Sequence, residues 1–167
     1  LLPADTRIPD HPIWEHLKIA SAINAFENYQ NNSLFLFTIG PVQSFISQAR
    51  KAQDLFVGSF LLSYLSFIAM EEIISRFGPA NIIYPDLFRQ PLMDWYLSEN
   101  GIEMAKSSTD YIDQPTIPNR FVAIIPETDK EKIEELGNVI TDNVRNEWRS
   151  IVSFILGDFD IKINGEM

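Results

Sequence analysis

The sequence predicts an α+β fold of the ferredoxin type, in which a mainly antiparallel sheet carries helices on one face. Three observations predict it. Segments with apolar patterning follow the order strand, helices, strand, strand, helix. Two long stretches of helical periodicity separate the strands. A chain of 167 residues with 46% hydrophobic side chains can bury one core of ordinary domain size. No internal repeat interrupts this order.

The opening stretch from Pro3 to Pro12 is rich in Pro and Asp and reads as an extended entry segment, with Pro12 placed at the first turn of a helix. Ile13, Leu17, Ala20 and Ile23 then recur every three or four residues, which predicts a helix from Ile13 to Phe26. The Asn-rich stretch that closes it is the expected domain boundary, dividing 1–32 from 33–167. Leu34 to Ile39 is an apolar run bounded by Asn32-Ser33 and Gly40-Pro41, the pattern of a buried central strand. After that turn, Val42, Phe45, Ile46, Ala49 and Phe56 mark one face of a helix, and Gln43, Ser47, Arg50 and Asp54 the other. Gly58 is expected to interrupt it, with a second, largely buried helix running from Ser59 to Phe77 and ending at Gly78-Pro79. Asn81 to Tyr84 reads as a short strand, Pro85 to Pro91 as a loop and Leu92 to Leu97 as a short helix. The polar region from Ser98 to Asn119 reads as a mobile loop. Arg120 to Ile125 is a further apolar strand, and Thr128 to Leu156 carries a helix with Ile133, Leu136, Ile140, Val144, Trp148, Ile151 and Ile155 on one stripe.

Composition excludes several functions. With 13 Lys+Arg against 23 Asp+Glu the formal charge is −10, so this chain alone is expected to repel a phosphate backbone. The absence of cysteine excludes disulfides and thiolate metal sites and fits a cytoplasmic protein. The apolar stretches Leu34 to Gly40 and Phe60 to Met70 are too short, or too interrupted by Ser63, Tyr64 and Ser66, to span a bilayer. The start has no signal-peptide pattern and no initiator Met, and the closing DFDIKINGEM reads as the opening of a new strand or loop, so the chain is expected to be cut from something longer.

Two places carry candidate chemistry. His11 and His16, beside Asp5, Asp10 and Glu15, form an incomplete metal set. A histidine next to Trp14 on an amphipathic helix is, by spacing alone, more often a packed or capping residue. The turn at Gly40 ends a strand and opens a helix, which exposes backbone N–H groups to an anion such as phosphate. Gln43, Ser44, Arg50 and Lys51 can add donors there, and Gly58-Ser59 offers a second glycine-opened helix start. Ordinary turn and capping chemistry explains the same residues, and Arg50 and Asp54 can simply pair across one turn. No P-loop, no GxSxG and no nucleophile with an adjacent base is present. Glu131, Glu134, Glu135 and Asp142 read as a solvated helix face.

The stretches LPADTRIPDHPIWEHLKIASAI, IGPVQSFISQARKAQDLFVGSFLLSYL and GPANIIYPDLFRQP resemble the large subunit of the type III-B CRISPR effector, the Cmr complex, in the same order from Leu2 to Pro126. That resemblance implies an HD-type nuclease domain followed by two palms related to nucleotidyl cyclases, which together make cyclic oligoadenylates from ATP. Residues 1–32 would then be the end of the HD-type domain and 33–167 the first palm. His16 would be one ligand of a divalent metal such as Mg or Mn, although the His-Asp dipeptide of the HD site is missing. In an active palm an aspartate follows the first strand to hold Mg²⁺; here that place is Pro41, and the Gly-Gly-Asp-Asp hairpin belongs to the second palm. The resemblance therefore implies a degenerate palm with no catalytic residues of its own, inactive by itself. It would supply one wall of a composite ATP pocket through Gly40, Gln43, Ser44 and Ser59. The family often has Trp where Phe56 stands, which leaves the packing there open. Implied partners are the second palm of the same parent chain, the other Cmr subunits, and crRNA and target RNA through the assembled complex. Two readings remain beside it: a non-catalytic scaffold that docks other subunits, and a ferredoxin-like module for an unrelated small ligand.

Overall fold

The computed structural model describes residues 12–24, 31–102 and 112–158. The order is α1 (Ile13–Asn24), β1 (Ser33–Thr38), α2 (Val42–Ile46), α3 (Ala52–Phe77), a 3-10 turn (Pro79–Asn81), β2 (Ile82–Tyr84), α4 (Pro91–Glu99), β3 (Arg120–Ile125) and α5 (Lys130–Asp158). The three strands form one antiparallel sheet in the order β1-β3-β2. Because β3 lies between β1 and β2 and opposes both, the strand–helix–strand crossover is split by the third strand, as a ferredoxin-like α+β layer requires.

Alternation along the strands assigns the faces. Phe121, Ala123 and Ile125 of β3 are fully buried, and their register partners Phe37 and Phe35 lie on the same side, with Phe37 and Phe121 stacked at 5.4 Å. Phe67, Met70 and Ile73 of α3 and Leu136 and Ile140 of α5 close over this face as one cluster. On the other face Leu34 and Leu36 are 72% and 65% exposed. Two buried polar groups fix the ends of the layer. The Asn81 amide donates to the Ile124 carbonyl at 2.9 Å, and the Ser63 hydroxyl accepts from the Ile117 N–H at 2.8 Å. Ser63 is thus a buried tether for the segment before β3 rather than an interruption of the helix.

Several expectations are corrected here. β1 is an edge strand among the described residues, not a central one. The first helix after Gly40-Pro41 stops at Ile46, and residues 47–50 form a turn before α3 begins. The Asp54 carboxylate accepts from the backbone N–H of Arg50 and Lys51 at 3.1 and 3.2 Å, so it holds the start of α3. α3 runs without a break through Gly58 for 26 residues. Gly58 lies within the helix facing α2, where a Cβ would stand 3.4 Å from the Phe45 ring, at the edge of ordinary van der Waals contact. By length and composition alone α3 could cross a bilayer. Eight of its residues, from Ser63 to Ile74, are buried inside the fold, as in a core helix.

Of the region read as a mobile loop, 103–111 lies outside the described residues. The described part is anchored by Ile117 and by the exchange between Ile39 and Asn119, in which Ile39 N–H donates to the Asn119 carbonyl at 2.8 Å and the Asn119 side chain donates to the Ile39 carbonyl at 3.0 Å. The remaining elements agree with the periodicity. β3 has the expected bounds, and α5 buries Leu136 and Ile140 while Glu131, Glu134, Glu135 and Asp142 face solvent.

Candidate functional site

The C-terminal end of β1 opens into a cavity of about 310 Å³. It is lined by Gly40, Pro41 and Ser44 after β1, by Leu61, Leu62 and Leu65 of α3, and by Gln48 and Trp148. Tertiary structure alone brings Trp148 here: α5 lies antiparallel on α3, with Tyr64 of α3 donating to Glu147 at 2.9 Å and Asn143 donating to Glu72 at 3.1 Å. In the sequence Trp148 is only one residue of an apolar stripe, and nothing in that stripe singles it out from its neighbours.

The four residues expected at a nucleotide wall are therefore divided. Gly40 and Ser44 share this cavity; Gln43 is exposed on α2 and Ser59 is half-buried within α3, and neither lines it. Since α3 begins at Ala52, Ser59 is not at a helix start and has no array of unpaired backbone donors around it. The Ser44 hydroxyl donates to the Pro41 carbonyl at 3.2 Å, and Ser47 donates to the Ser44 carbonyl at 3.1 Å. The hydroxyl oxygen of Ser44 still has acceptor capacity for a ligand donor. The pocket offers an aromatic face and a few polar atoms, and among the described residues no carboxylate lines it.

His16 lies half-buried on α1 beside Glu15, Ile19, Ala20 and Ile23. Among the described residues no group of three or more His, Asp or Glu side chains could hold a metal ion. His11, Asp5 and Asp10 lie outside the described residues. The side chains described here do not by themselves fit a divalent metal, and no metal-dependent step follows from them.

Two further concavities carry polar groups. One, about 400 Å³, lies between α1 and α4, with Trp14 against Phe88 at 5.4 Å and the Lys18–Asp86 ion pair at 3.2 Å by its mouth. The other, about 470 Å³, follows the α3–α5 seam between Glu71, Glu72 and Glu147. There burial, then the bond to Glu147, pushes the Tyr64 hydroxyl up to about 12. Burial, then the charges of Glu147 and Glu72, raises the Glu71 carboxyl.

Comparison with known proteins now adds what geometry cannot. The family described as CRISPR-associated protein Cmr2, N-terminal, matches residues 34–153. The chain belongs to the Cmr2 family. It is 38% identical over 165 residues, 98% of its length, to the CRISPR system Cmr subunit Cmr2 of Pyrococcus furiosus. It is 31% identical over 170 aligned residues, 84% of its length, to the CRISPR system CMR subunit Cmr2 of Saccharolobus solfataricus. These alignments cover only 18% and 16% of those relatives, so the chain spans less than a fifth of each. Membership bears out the resemblance to the large subunit of the type III-B effector, and the family match takes in the cavity from Ile39 to Trp148.

Proposed function

We propose that this chain is part of the large subunit of an RNA-guided type III-B CRISPR antiviral complex, where it forms a degenerate palm that contributes one wall of an ATP pocket for cyclic oligoadenylate synthesis. The observation that carries the reading is the cavity at the end of β1, which joins Gly40 and Ser44 to the Trp148 indole beside Pro41. An exposed indole face can stack on a nucleobase, a contact worth about 1–3 kcal/mol. Ser44 and Gln48 offer hydrogen-bonding atoms to the rest of a nucleotide. With Pro41 at the start of α2 and no carboxylate among the described residues that line the cavity, this wall holds a nucleotide and does not position Mg²⁺ for attack on a phosphate. The catalytic carboxylates come from the second palm of the same parent chain.

On this reading α1 belongs to the junction with the HD-type nuclease domain, and His16 is one ligand of its Mg or Mn site, completed from outside the described residues. The partners are other Cmr subunits, with crRNA and target RNA reached through the assembled cytoplasmic complex. At a formal charge of −10 this chain is not itself the RNA-binding surface.

In the reconstituted complex, Trp148→Ala and Ser44→Phe should each lower cyclic oligoadenylate yield by roughly tenfold, as expected from a lost stacking contact or a filled cavity. Ser59→Ala and Gln43→Ala should leave it near wild type, and the chain alone should show no ATP turnover. Unchanged synthesis in both cavity variants would sink the pocket.

A scaffold role is the second reading, favoured by the exposed apolar side chains Leu55, Phe56 and Val57 at the start of α3 and Phe154 and Ile155 near the end of α5. Loss of assembly with Val57→Asp, together with unchanged synthesis in the cavity variants, would select it.

A further inference from the structure

α5 is anchored unevenly along its length. Its first half buries Leu136 and Ile140 in the core, and Val144 packs partly against it, whereas no residue of the helix after Ile140 is buried among those described. Trp148 therefore rides on a stretch of helix that burial does not hold in place, although it is the residue that α5 brings to the cavity at the end of β1. Among the described residues two side-chain hydrogen bonds cross between α3 and α5. Asn143 donates to Glu72 at 3.1 Å, and one turn further along α5 Tyr64 donates to Glu147 at 2.9 Å. The second bond stands immediately before Trp148 in the chain.

Both ends of that bond are placed to fix the indole. On α3, Tyr64 follows Leu61 by one helical turn and stands next to Leu65, and both leucines line the cavity together with Trp148. One turn of α3 thus carries a cavity wall and the donor. The Tyr64 ring is itself held, half-buried and stacked on Phe60 at 6.4 Å. Burial, then the bond to Glu147, pushes its hydroxyl up to about 12, so it remains a donor at neutral pH. On α5, Glu147 and Trp148 are successive residues of one helix, separated by about 100° of rotation, so fixing the carboxylate fixes the direction of the indole. The bond also works against a repulsion. Glu71 faces Glu147 and Glu72 along the same seam, where burial, then their charges, raises its carboxyl. Removing the Tyr64 hydroxyl leaves Glu147 opposite a like charge, which loosens α5 where Trp148 leaves it.

We propose that Tyr64 and Glu147 brace the Trp148 indole against the cavity, and that both are positioning residues for the ligand that stacks there, acting through α5 without touching the ligand. The inference rests on the reading of that cavity as a nucleotide wall. A braced indole presents its face before the nucleotide arrives, so binding does not have to order it.

The test uses the full-length large subunit labelled with 5-fluorotryptophan, the Trp148 resonance being assigned by its loss in Trp148→Phe. Tyr64→Phe keeps the ring and its stack on Phe60 and loses only the donor, Glu147→Ala loses the acceptor, and Glu147→Gln keeps an acceptor oxygen. Tyr64→Phe and Glu147→Ala should each move the Trp148 fluorine resonance towards its position in the unfolded protein, and Glu147→Gln should leave it in place. In the reconstituted complex the same two losses should raise the KM for ATP in cyclic oligoadenylate synthesis about fivefold with kcat unchanged, the scale of one lost hydrogen bond. In a Trp148→Ala background Tyr64→Phe should add nothing further. A Tyr64→Phe protein that melts lower but keeps the wild-type resonance would overturn the proposal. So would Glu147→Gln behaving like Glu147→Ala, or a Tyr64→Phe effect on KM undiminished in the absence of Trp148. If Trp148→Ala synthesises like wild type, the nucleotide wall falls, and the resonance, which needs no nucleotide, still decides the brace.

Discussion

Replacing Gly58 tests the packing of α2 on α3 and the continuity of α3 together. A glycine inside a helix costs about 1 kcal/mol relative to alanine, so Gly58→Ala should stabilise the chain by that amount if nothing resisted the methyl group. The new Cβ would stand 3.4 Å from the Phe45 Cε1 atom, close enough that the ring must yield by a few tenths of an ångström. Phe45 lies on a five-residue helix with its side chain over a third exposed, so it can yield cheaply. The net expectation is a gain of about 0.5 kcal/mol, a rise in Tm of roughly 1–2 °C for a chain of this size. Urea unfolding should show the midpoint move up with an unchanged slope. The companion variant, Gly58→Pro, separates the two descriptions of the helix. If a helix began at Ser59, proline just before it would be tolerated. Inside a continuous α3 it removes a hydrogen bond and clashes with the preceding turn, at a cost of about 3 kcal/mol. A Gly58→Ala chain destabilised by more than ~0.5 kcal/mol, or a Gly58→Pro chain near wild type, would refute the reasoning.

Three other expectations follow from buried groups. Phe121→Ala empties the centre of the sheet's packed face, where the ring meets Phe35 and Phe37 at 6.1 and 5.4 Å, and should cost about 3–5 kcal/mol in equilibrium unfolding. Asn81→Ala removes the donor that holds the Ile124 carbonyl and should cost about 1–3 kcal/mol, measured the same way. Tyr64 has its folded pKa raised from 10.0 to about 12, so the folded state holds this proton more tightly and stability must fall as pH rises through that window. Tyr64→Phe should flatten this alkaline loss in unfolding midpoints, while Glu147→Gln should move the tyrosine titration only part of the way back towards 10, since burial is the larger cause.

How much of this was legible beforehand differs from element to element. β3 was read with its observed bounds because Arg120 followed by five apolar residues, three of them β-branched, between turn signals permits little else. The first half of the α5 stripe was read correctly, because burial of Leu136 and Ile140 follows the helical period, whereas Trp148 and Ile155 further along it are exposed. Gly58 was misread because a glycine can end a helix or lie within one, and only the fold separates the two. The site was half legible for a similar reason. Gly40 and Ser44 lie within a few residues of one strand end, so local order places them together. Trp148 reaches them from more than a hundred residues away, and Ser59 is lost to them because it lies inside a helix.

By itself the sequence determined the α+β class, the order of the elements, the apolar faces and, through the residues it shares with its relatives, the Cmr2 family. Those properties are written in local periodicity and in residue identity, which need no knowledge of what lies across space. Only tertiary structure decided that β1 stands at an edge among the described residues, that Gly58 lies against Phe45 and that Trp148 lines a cavity at the end of β1. Each depends on which segments meet after the chain has folded back on itself, and segments far apart along the chain carry no mark of that meeting until they pack.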